Sequence, residues 1–294
     1  MMQVLNGSLV ALVTPMFPNG DVDYKSLEKL IDWHISEGTN GIVSVGTTGE
    51  SATLNFKEHL EVIGFTSKYV NKRIPVVAGS GANSTSEAIE LTRKSKELGA
   101  DACLLVTPYY NKPTQNGPYY HYKKIADEVN IPQILYNVPG RTSVDMLPDT
   151  VYKLSNHPNI IGIKEASGDI KRSRELLDKC SENLSIFTGD DKTSMRDILL
   201  GFSGNISVTA NVAPRLCAQF QQATLKGDFA TALKITDKLM PLHQAIFTEP
   251  GLCGAKYGLS LLGLCSTEVR APLTQIHRET KTKIRDAMKF AGIL

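Results

Sequence analysis

Ile160-Ile161-Gly162-Ile163-Lys164-Glu165-Ala166-Ser167 is a short apolar, β-branched run, with Pro158-Asn159 before it and Gly168-Asp169 after it. Such a run reads as a strand buried on both faces, the kind found in parallel sheets. It carries one amine, Lys164, to its C-terminal end. Burial disfavours an ammonium and can lower a lysine pKa by several units, which leaves a free amine able to attack a ketone and form a Schiff base. Most of the other lysines lie in polar helical stretches. The alternative is a strand-end lysine that reaches solvent or pairs with Glu165, and this stretch alone does not choose between them.

Working outward, the same kind of run recurs at Leu9 to Pro15, Gly41 to Val45, Pro75 to Gly79, Ala102 to Thr107, Pro132 to Asn137, Leu184 to Thr188 and Asn205 to Thr209. Helical periodicity falls between these runs, at Tyr24 to Glu37, Phe56 to Val70, Ser86 to Leu98, Tyr119 to Val129 and Asp149 to Leu154. With Ile160 to Glu165 this makes eight strands, spaced by roughly 20 to 35 residues per strand-helix unit, which fits an eight-fold parallel barrel better than a doubly wound sheet. A helix from Pro214 to about Lys226 closes the pattern, and after Gly227 the strand signals stop. Phe229 to Ile246, Gly254 to Leu262 and Thr274 to Leu294 read as helices, with Pro241, Pro250-Gly251 and Pro272 as interruptions. The expected organisation is a (β/α)8 catalytic barrel over residues 1–227 and a C-terminal helical segment over residues 228–294.

In such a barrel the chemistry gathers on the loops after the strands, and the unusual residues fall there. Gly46-Thr47-Thr48-Gly49-Glu50-Ser51 follows the second strand. Its glycines let backbone N–H groups approach a small carboxylate or phosphate, and its threonines add hydroxyls. The same turn can simply lead into a helix capped by Asn55 and Glu58. Gly79-Ser80-Gly81-Ala82-Asn83-Ser84 imitates a dinucleotide fingerprint but has Ser84 where the last glycine belongs, and Ser84 with Glu87 reads as a capping box. Thr107-Pro108-Tyr109-Tyr110-Asn111 is aromatic for a connection, and adjacent tyrosines must point in different directions. Tyr136 ends the fifth strand, where a phenol can relay protons, and Arg141 lies where a guanidinium can clamp a carboxylate. Asp190-Asp191 is read as helix capping, because no histidine or third carboxylate accompanies it. The histidines show no metal-ligand spacing, and His59 is assigned a surface or satisfied role.

The 294 residues are 41% hydrophobic, with 32 Lys and Arg against 30 Asp and Glu and a formal charge of +2. Charges of both signs are interspersed, which argues against nucleic acid as the main partner. No stretch approaches the roughly 20 apolar residues of a membrane span, and Met1-Met2-Gln3-Val4-Leu5-Asn6 lacks a basic secretory start, so a cytoplasmic protein is expected. Cys103, Cys180, Cys217, Cys253 and Cys265 are odd in number and form no C-x-x-C pair, so free thiols are expected.

Gly46-Thr47-Thr48-Gly49-Glu50, Tyr136-Asn137-Val138-Pro139-Gly140-Arg141-Thr142 and Gly162-Ile163-Lys164-Glu165-Ala166-Ser167 fall on three different strand ends, in an order and at separations that strongly resemble the dihydrodipicolinate synthase family. The resemblance covers nearly the whole chain and implies a pyruvate-dependent class I aldolase on a (β/α)8 barrel. Such an enzyme condenses pyruvate with L-aspartate 4-semialdehyde in the diaminopimelate and lysine pathway, and needs no metal or other cofactor. By resemblance Lys164 forms the imine, and Thr47 and Thr48 lie in the motif that binds the pyruvate carboxylate. Thr47, Tyr136 and Tyr110 form a proton relay, with Tyr110 lent across a dimer interface of a homotetramer. Arg141 meets the aldehyde's carboxylate, and Gly189 and Ile206 line the pocket.

The family's lysine-binding allosteric site matches at Ser51, Ala52, His59, Asn83, Glu87 and Tyr109, with Phe56 where lysine-sensitive members carry a histidine. A second departure is Glu249-Pro250-Gly251-Leu252-Cys253-Gly254-Ala255-Lys256, where the family commonly has an Asn-Pro-x-Pro run. Two rival readings remain at this point. One is a sugar lyase resembling N-acetylneuraminate lyase, which has no need of a carboxylate clamp at Arg141. The other is a non-catalytic barrel that senses pyruvate or lysine, which has no need of a proton relay.

Overall fold

Residues 5–294 are described by the computed structural model of the protein. Met1, Met2, Gln3 and Val4, which belong to the stretch read above as lacking a basic leader, lie outside the described residues. Strands β1 (Gly7–Ala11), β2 (Gly41–Ser44), β3 (Val76–Gly79), β4 (Ala102–Val106), β5 (Gln133–Asn137), β6 (Ile160–Glu165), β7 (Ser185–Thr188) and β8 (Gly204–Ser207) form a closed parallel barrel in chain order. All neighbouring pairs are parallel, and β8 returns to β1 through Leu9 and Ile206. The (β/α)8 expectation is met.

Around the barrel run helices α1 (Tyr24–Ser36), α2 (Phe56–Val70), α3 (Thr85–Glu97), α4 (Asn116–Glu128), α5 (Pro139–Thr142), α6 (Pro148–Leu154), α7 (Ile170–Cys180), α8 (Ser194–Leu200) and α9 (Pro214–Leu225). After them come α10 (Phe229–Ile246), α11 (Gly251–Leu261) and α12 (Arg278–Ala291).

The strands read as continuous apolar runs because both of their faces are buried. Leu9, Ala11, Val43, Val77, Leu104, Ile134, Phe187 and Ile206 fill the barrel interior. Their outward neighbours, among them Val10, Ile42, Val76, Cys103, Leu135 and Ile163, pack under the helices. Each fully buried Val, Leu or Ile contributes roughly 1.5–3 kcal/mol of transfer free energy, so the larger outer layer supplies most of the hydrophobic driving force. Residues paired across a parallel ladder share a face, and Val106, Tyr136, Lys164 and Phe187 are successive partners across β4 to β7. Lys164 is therefore placed on the interior face by strand periodicity alone.

Helix α2 spans the expected residues and is opened by the full Asn55–Glu58 capping box. At α3 the cap is one-sided: Glu87 N donates to Ser84 Oγ, but the Glu87 carboxylate does not return the bond. Pro241, read as an interruption, lies inside a continuous α10. Its missing N–H and ring clash cost an isolated helix ~3 kcal/mol. Burial of Leu239, Leu242 and Ile246 against α9 and α12 keeps the helix unbroken.

The unusual 249–256 stretch and the residues just after it have a packing reason. A Cβ at Gly254 would lie 2.7 Å from the Ile246 carbonyl oxygen, and one at Gly258 would lie 2.5 Å from Val212 Cγ1. These glycines let α11 sit tightly on α10 and on the turn after β8. All five cysteines are free. Among the described residues no helix is long and apolar enough to cross a membrane.

Candidate active site

A cavity of about 570 Å³ opens at the C-terminal ends of the strands, and Thr47, Thr48, Tyr136, Arg141, Lys164 and Gly189 all line it. Lys164 is 5% exposed. Burial lowers its pKa to about 8, Arg141 adds to the lowering, and Asp191 pulls the other way. At pH 7 about a tenth of such a group is free amine, far more than for an ordinary lysine. The Nζ atom stands 4.5 Å from the centre of the Tyr136 ring. Burial raises the Tyr136 phenol above its ordinary value, while the Arg141 charge and a hydrogen bond with Thr47 oppose that shift.

Glu165 does not partner Lys164. As the next residue on the strand it faces outward, where its carboxylate accepts from Arg172 Nε at 2.7 Å and from Asn137 Nδ2 at 3.2 Å. Asn137 and Glu165 are themselves cross-strand partners, so this buried bracket ties together the residues that follow Tyr136 and Lys164. At Gly189 a Cβ would lie 2.7 Å from Lys164 Cε and 2.8 Å from Ala166 Cβ. Glycine there leaves room for the lysine side chain. Thr47–Gly49 forms a single 3-10 turn, anchored to the barrel where the Thr14 hydroxyl donates to Gly49 O at 2.7 Å.

A buried amine, a phenol, a hydroxyl-bearing turn and a guanidinium in one cavity can form an imine, move protons and hold carboxylates. The dihydrodipicolinate synthetase family model matches residues 4–291. The chain belongs to this family. It is 57% identical to the 4-hydroxy-tetrahydrodipicolinate synthase of Stutzerimonas stutzeri over 99% of this chain and 100% of that protein. The dihydrodipicolinate synthase of Acinetobacter baumannii, solved as a complex with pyruvate, is 50% identical with a TM-score of 0.97, covering 99% of this chain and 100% of that one. The Cyanidioschyzon merolae enzyme, solved with lysine bound, is 37% identical with a TM-score of 0.95, covering 98% of this chain and 99% of that one.

Not every residue carried over from the dihydrodipicolinate synthase resemblance meets in this cavity. Tyr110 is 88% exposed, has a left-handed φ of 78°, and lies outside it. Tyr109 turns the other way, 40% exposed, and lines a second cavity of about 220 Å³ with Ser51, Ala52, Phe56, His59 and Glu87. Asn83 is not on that wall, although its Nδ2 donates to Tyr109 O at 3.4 Å. His59 is buried and satisfied, its Nε2–H donating to Gly79 O at 2.7 Å. The one-sided α3 cap leaves Glu87 available; burial, and then the Glu87 charge, hold the Tyr109 phenol above its usual range. Ile206 sits in the interior cluster rather than on the catalytic wall, where Val208 stands instead.

Asp190 and Asp191 divide their roles. Asp190 caps the short turn that follows, as expected, by accepting from Lys192 N at 3.0 Å. Asp191 does not: it is buried and accepts from Asn205 Nδ2, Val208 N and Thr209 N, so it braces the turn after β8 instead. Burial pushes its carboxyl up, but His243 and hydrogen bonds from Ser207, Thr209 and Asn205 outweigh that and hold it below the usual carboxylate range. It is the anion that opposes the lowering of Lys164. Among the described residues no cluster of His, Cys, Asp and Glu could hold a metal.

Sequence reasoning missed the bracing role of Asp191 and the buried pair Glu50 and Lys256. One signal was present for the second: Lys256 is a lone charge inside Leu252-Cys253-Gly254-Ala255-Lys256-Tyr257-Gly258-Leu259.

Proposed function

We propose that the chain condenses pyruvate with L-aspartate 4-semialdehyde through a Schiff base on Lys164, giving 4-hydroxy-tetrahydrodipicolinate in lysine and diaminopimelate biosynthesis. The observation that carries this reading is the buried Lys164 amine, with its pKa lowered to about 8, in one cavity with Tyr136, Thr47, Thr48 and Arg141. The neutral amine attacks the ketone carbon of pyruvate, and loss of water gives the imine. An imine accepts electrons better than a ketone, so a proton leaves the methyl group, the resulting enamine attacks the aldehyde carbon and the aldehyde oxygen takes up a proton. The amino group of the semialdehyde then displaces the Lys164 nitrogen from the imine carbon, which closes the ring and frees the lysine. Tyr136 and Thr47 move these protons. Thr48 and the turn around it hold the pyruvate carboxylate. Arg141 holds the carboxylate of the aldehyde, which selects it over a neutral sugar. Gly189 keeps the lysine's path clear, and Ile206 packs the floor beneath.

Tyr110 completes the relay from a neighbouring copy in a homotetramer built as a dimer of dimers, a placement that suits an exposed tyrosine standing on a left-handed backbone. The division into a catalytic barrel over 1–227 and a helical segment over 228–294 belongs to the same proposal, as does a cytoplasmic location. Arg141→Ala is expected to raise the KM for the aldehyde about 10- to 100-fold while pyruvate is still captured as a reducible adduct. Steady-state kinetics in both substrates and borohydride trapping check this. Equal loss of both would mean that Arg141 maintains the site rather than reading the aldehyde.

The second cavity is proposed as the lysine site, with Ser51, Ala52, His59, Glu87 and Tyr109 on its wall, Asn83 behind it holding the Tyr109 backbone, and Glu87 as the acceptor for an ammonium. Millimolar lysine is expected to slow turnover even with Phe56 in the wall, and Glu87→Gln to weaken that inhibition about 10-fold. Turnover indifferent to lysine would remove this cavity from the proposal.

A further inference from the structure

Glu50 closes the Gly-Thr-Thr-Gly turn, yet its carboxylate is turned into the protein. The residue is 2% exposed and its backbone is left-handed, with φ 61° and ψ 35°. Glu50 Oε1 accepts from Lys256 Nζ at 2.5 Å, with both side chains at 0% exposure. Glu50 Oε2 accepts from the backbone N–H of Arg270 at 2.9 Å. Lys256 also donates to Glu268 O at 2.6 Å. The Arg270 guanidinium spans from Gly20 O at 2.7 Å to Thr53 O at 2.8 Å, just beyond the same turn. The turn that presents Thr47 and Thr48 is thus held by the barrel on one side, through Thr14, and by the C-terminal helical segment on the other. That segment also supplies cavity wall, through Phe247, Pro250, Leu252 and Leu273.

A fully buried ion pair is a poor source of net stability, because desolvation offsets the attraction, but its geometry is demanding and losing one partner strands a charge. Left-handed backbone is disfavoured for glutamate, so the turn needs an anchor to stay there. We propose that Glu50 and Lys256 are positioning residues for pyruvate capture: their ion pair, with the Arg270 backbone, fixes the turn whose hydroxyls and N–H groups meet the pyruvate carboxylate. The C-terminal segment thereby assembles half of the substrate site. The inference rests on the reading above in which Thr47 and Thr48 hold that carboxylate.

The test measures KM and kcat for each substrate, and the pH midpoint of adduct formation, in Glu50→Gln, Lys256→Met and the double variant of the full chain. Each single change is expected to raise the KM for pyruvate by up to about 10²-fold, the effect of a displaced binding group. The KM for the aldehyde and the pH midpoint stay close to wild type. The double variant strands no charge but still lacks the pair, so its pyruvate KM stays raised, by no more than in either single variant, and the effects are non-additive. A double variant with wild-type pyruvate KM overturns the proposal. Wild-type pyruvate KM in folded single variants overturns the proposal, and so does an equal loss in both substrates. If the single variants do not fold, the double variant decides by the same criterion. Thr48→Val separates the two ideas: if it leaves the pyruvate KM unchanged, the carboxylate reading fails, whereas a raised KM beside unaffected Glu50 and Lys256 variants fails the positioning role alone.

Discussion

Lys164→Ala is expected to fold and to lose both the borohydride-trapped pyruvate adduct and turnover, the latter by about 10⁴-fold or more, as for other covalent nucleophiles. No other lysine combines burial, a lowered pKa and a place in the catalytic cavity. Lys256 is more deeply buried but is spent on Glu50. Lys192 reaches the cavity rim but is exposed. Folding should survive because the native amine is itself a burden on stability. Its folded pKa of about 8 lies below the ordinary 10.5, so the unfolded chain binds the proton more tightly. That burden is full below about pH 8 and is lifted as pH rises from there towards 10.5. The shift corresponds to ~3 kcal/mol, which alanine would relieve while losing some packing. Near-normal turnover in Lys164→Ala, measured with both substrates saturating, would refute the imine.

Tyr136→Phe is the second large effect. Removing one hydroxyl from a relay is expected to lower kcat about 10²- to 10⁴-fold. The Lys164 amine and the threonine turn remain, so the pyruvate adduct still forms, though more slowly. The ring still packs beneath Lys164 Nζ, at 4.5 Å in the native protein, so the fold should be unaffected. Rapid trapping at a series of times separates adduct formation from later steps. A wild-type kcat would take Tyr136 out of the proton path and leave it as packing.

The barrel was legible because parallel strands buried on both faces leave uninterrupted apolar runs. The runs overshoot or fall short by a few residues where buried chain continues past the ladder. Leu12 and Val13 are as buried as β1 itself, but Val13 N bonds to the Asn211 side chain rather than to a neighbouring strand. Helices α7 and α8 gave little signal. The first buries Arg172 and Ser173 beside only a few apolar residues, and the second is seven residues long. The catalytic strand ends could be read because each is a short motif next to its strand. Contacts set by closure of the whole chain could not. Glu50 and Lys256 lie 206 residues apart, and Asp191 finds its donors on the next strand's turn. Residue type alone made Asp190 and Asp191 look alike, whereas burial and partners separate them.

The most direct test of the central claim is to reduce the wild-type protein with borohydride in the presence of pyruvate and to map the modified peptide by mass spectrometry. The account predicts one modified residue, Lys164, with labelling that grows as pH is raised towards and past about 8. No stable adduct, or an adduct on a lysine other than Lys164, would contradict it.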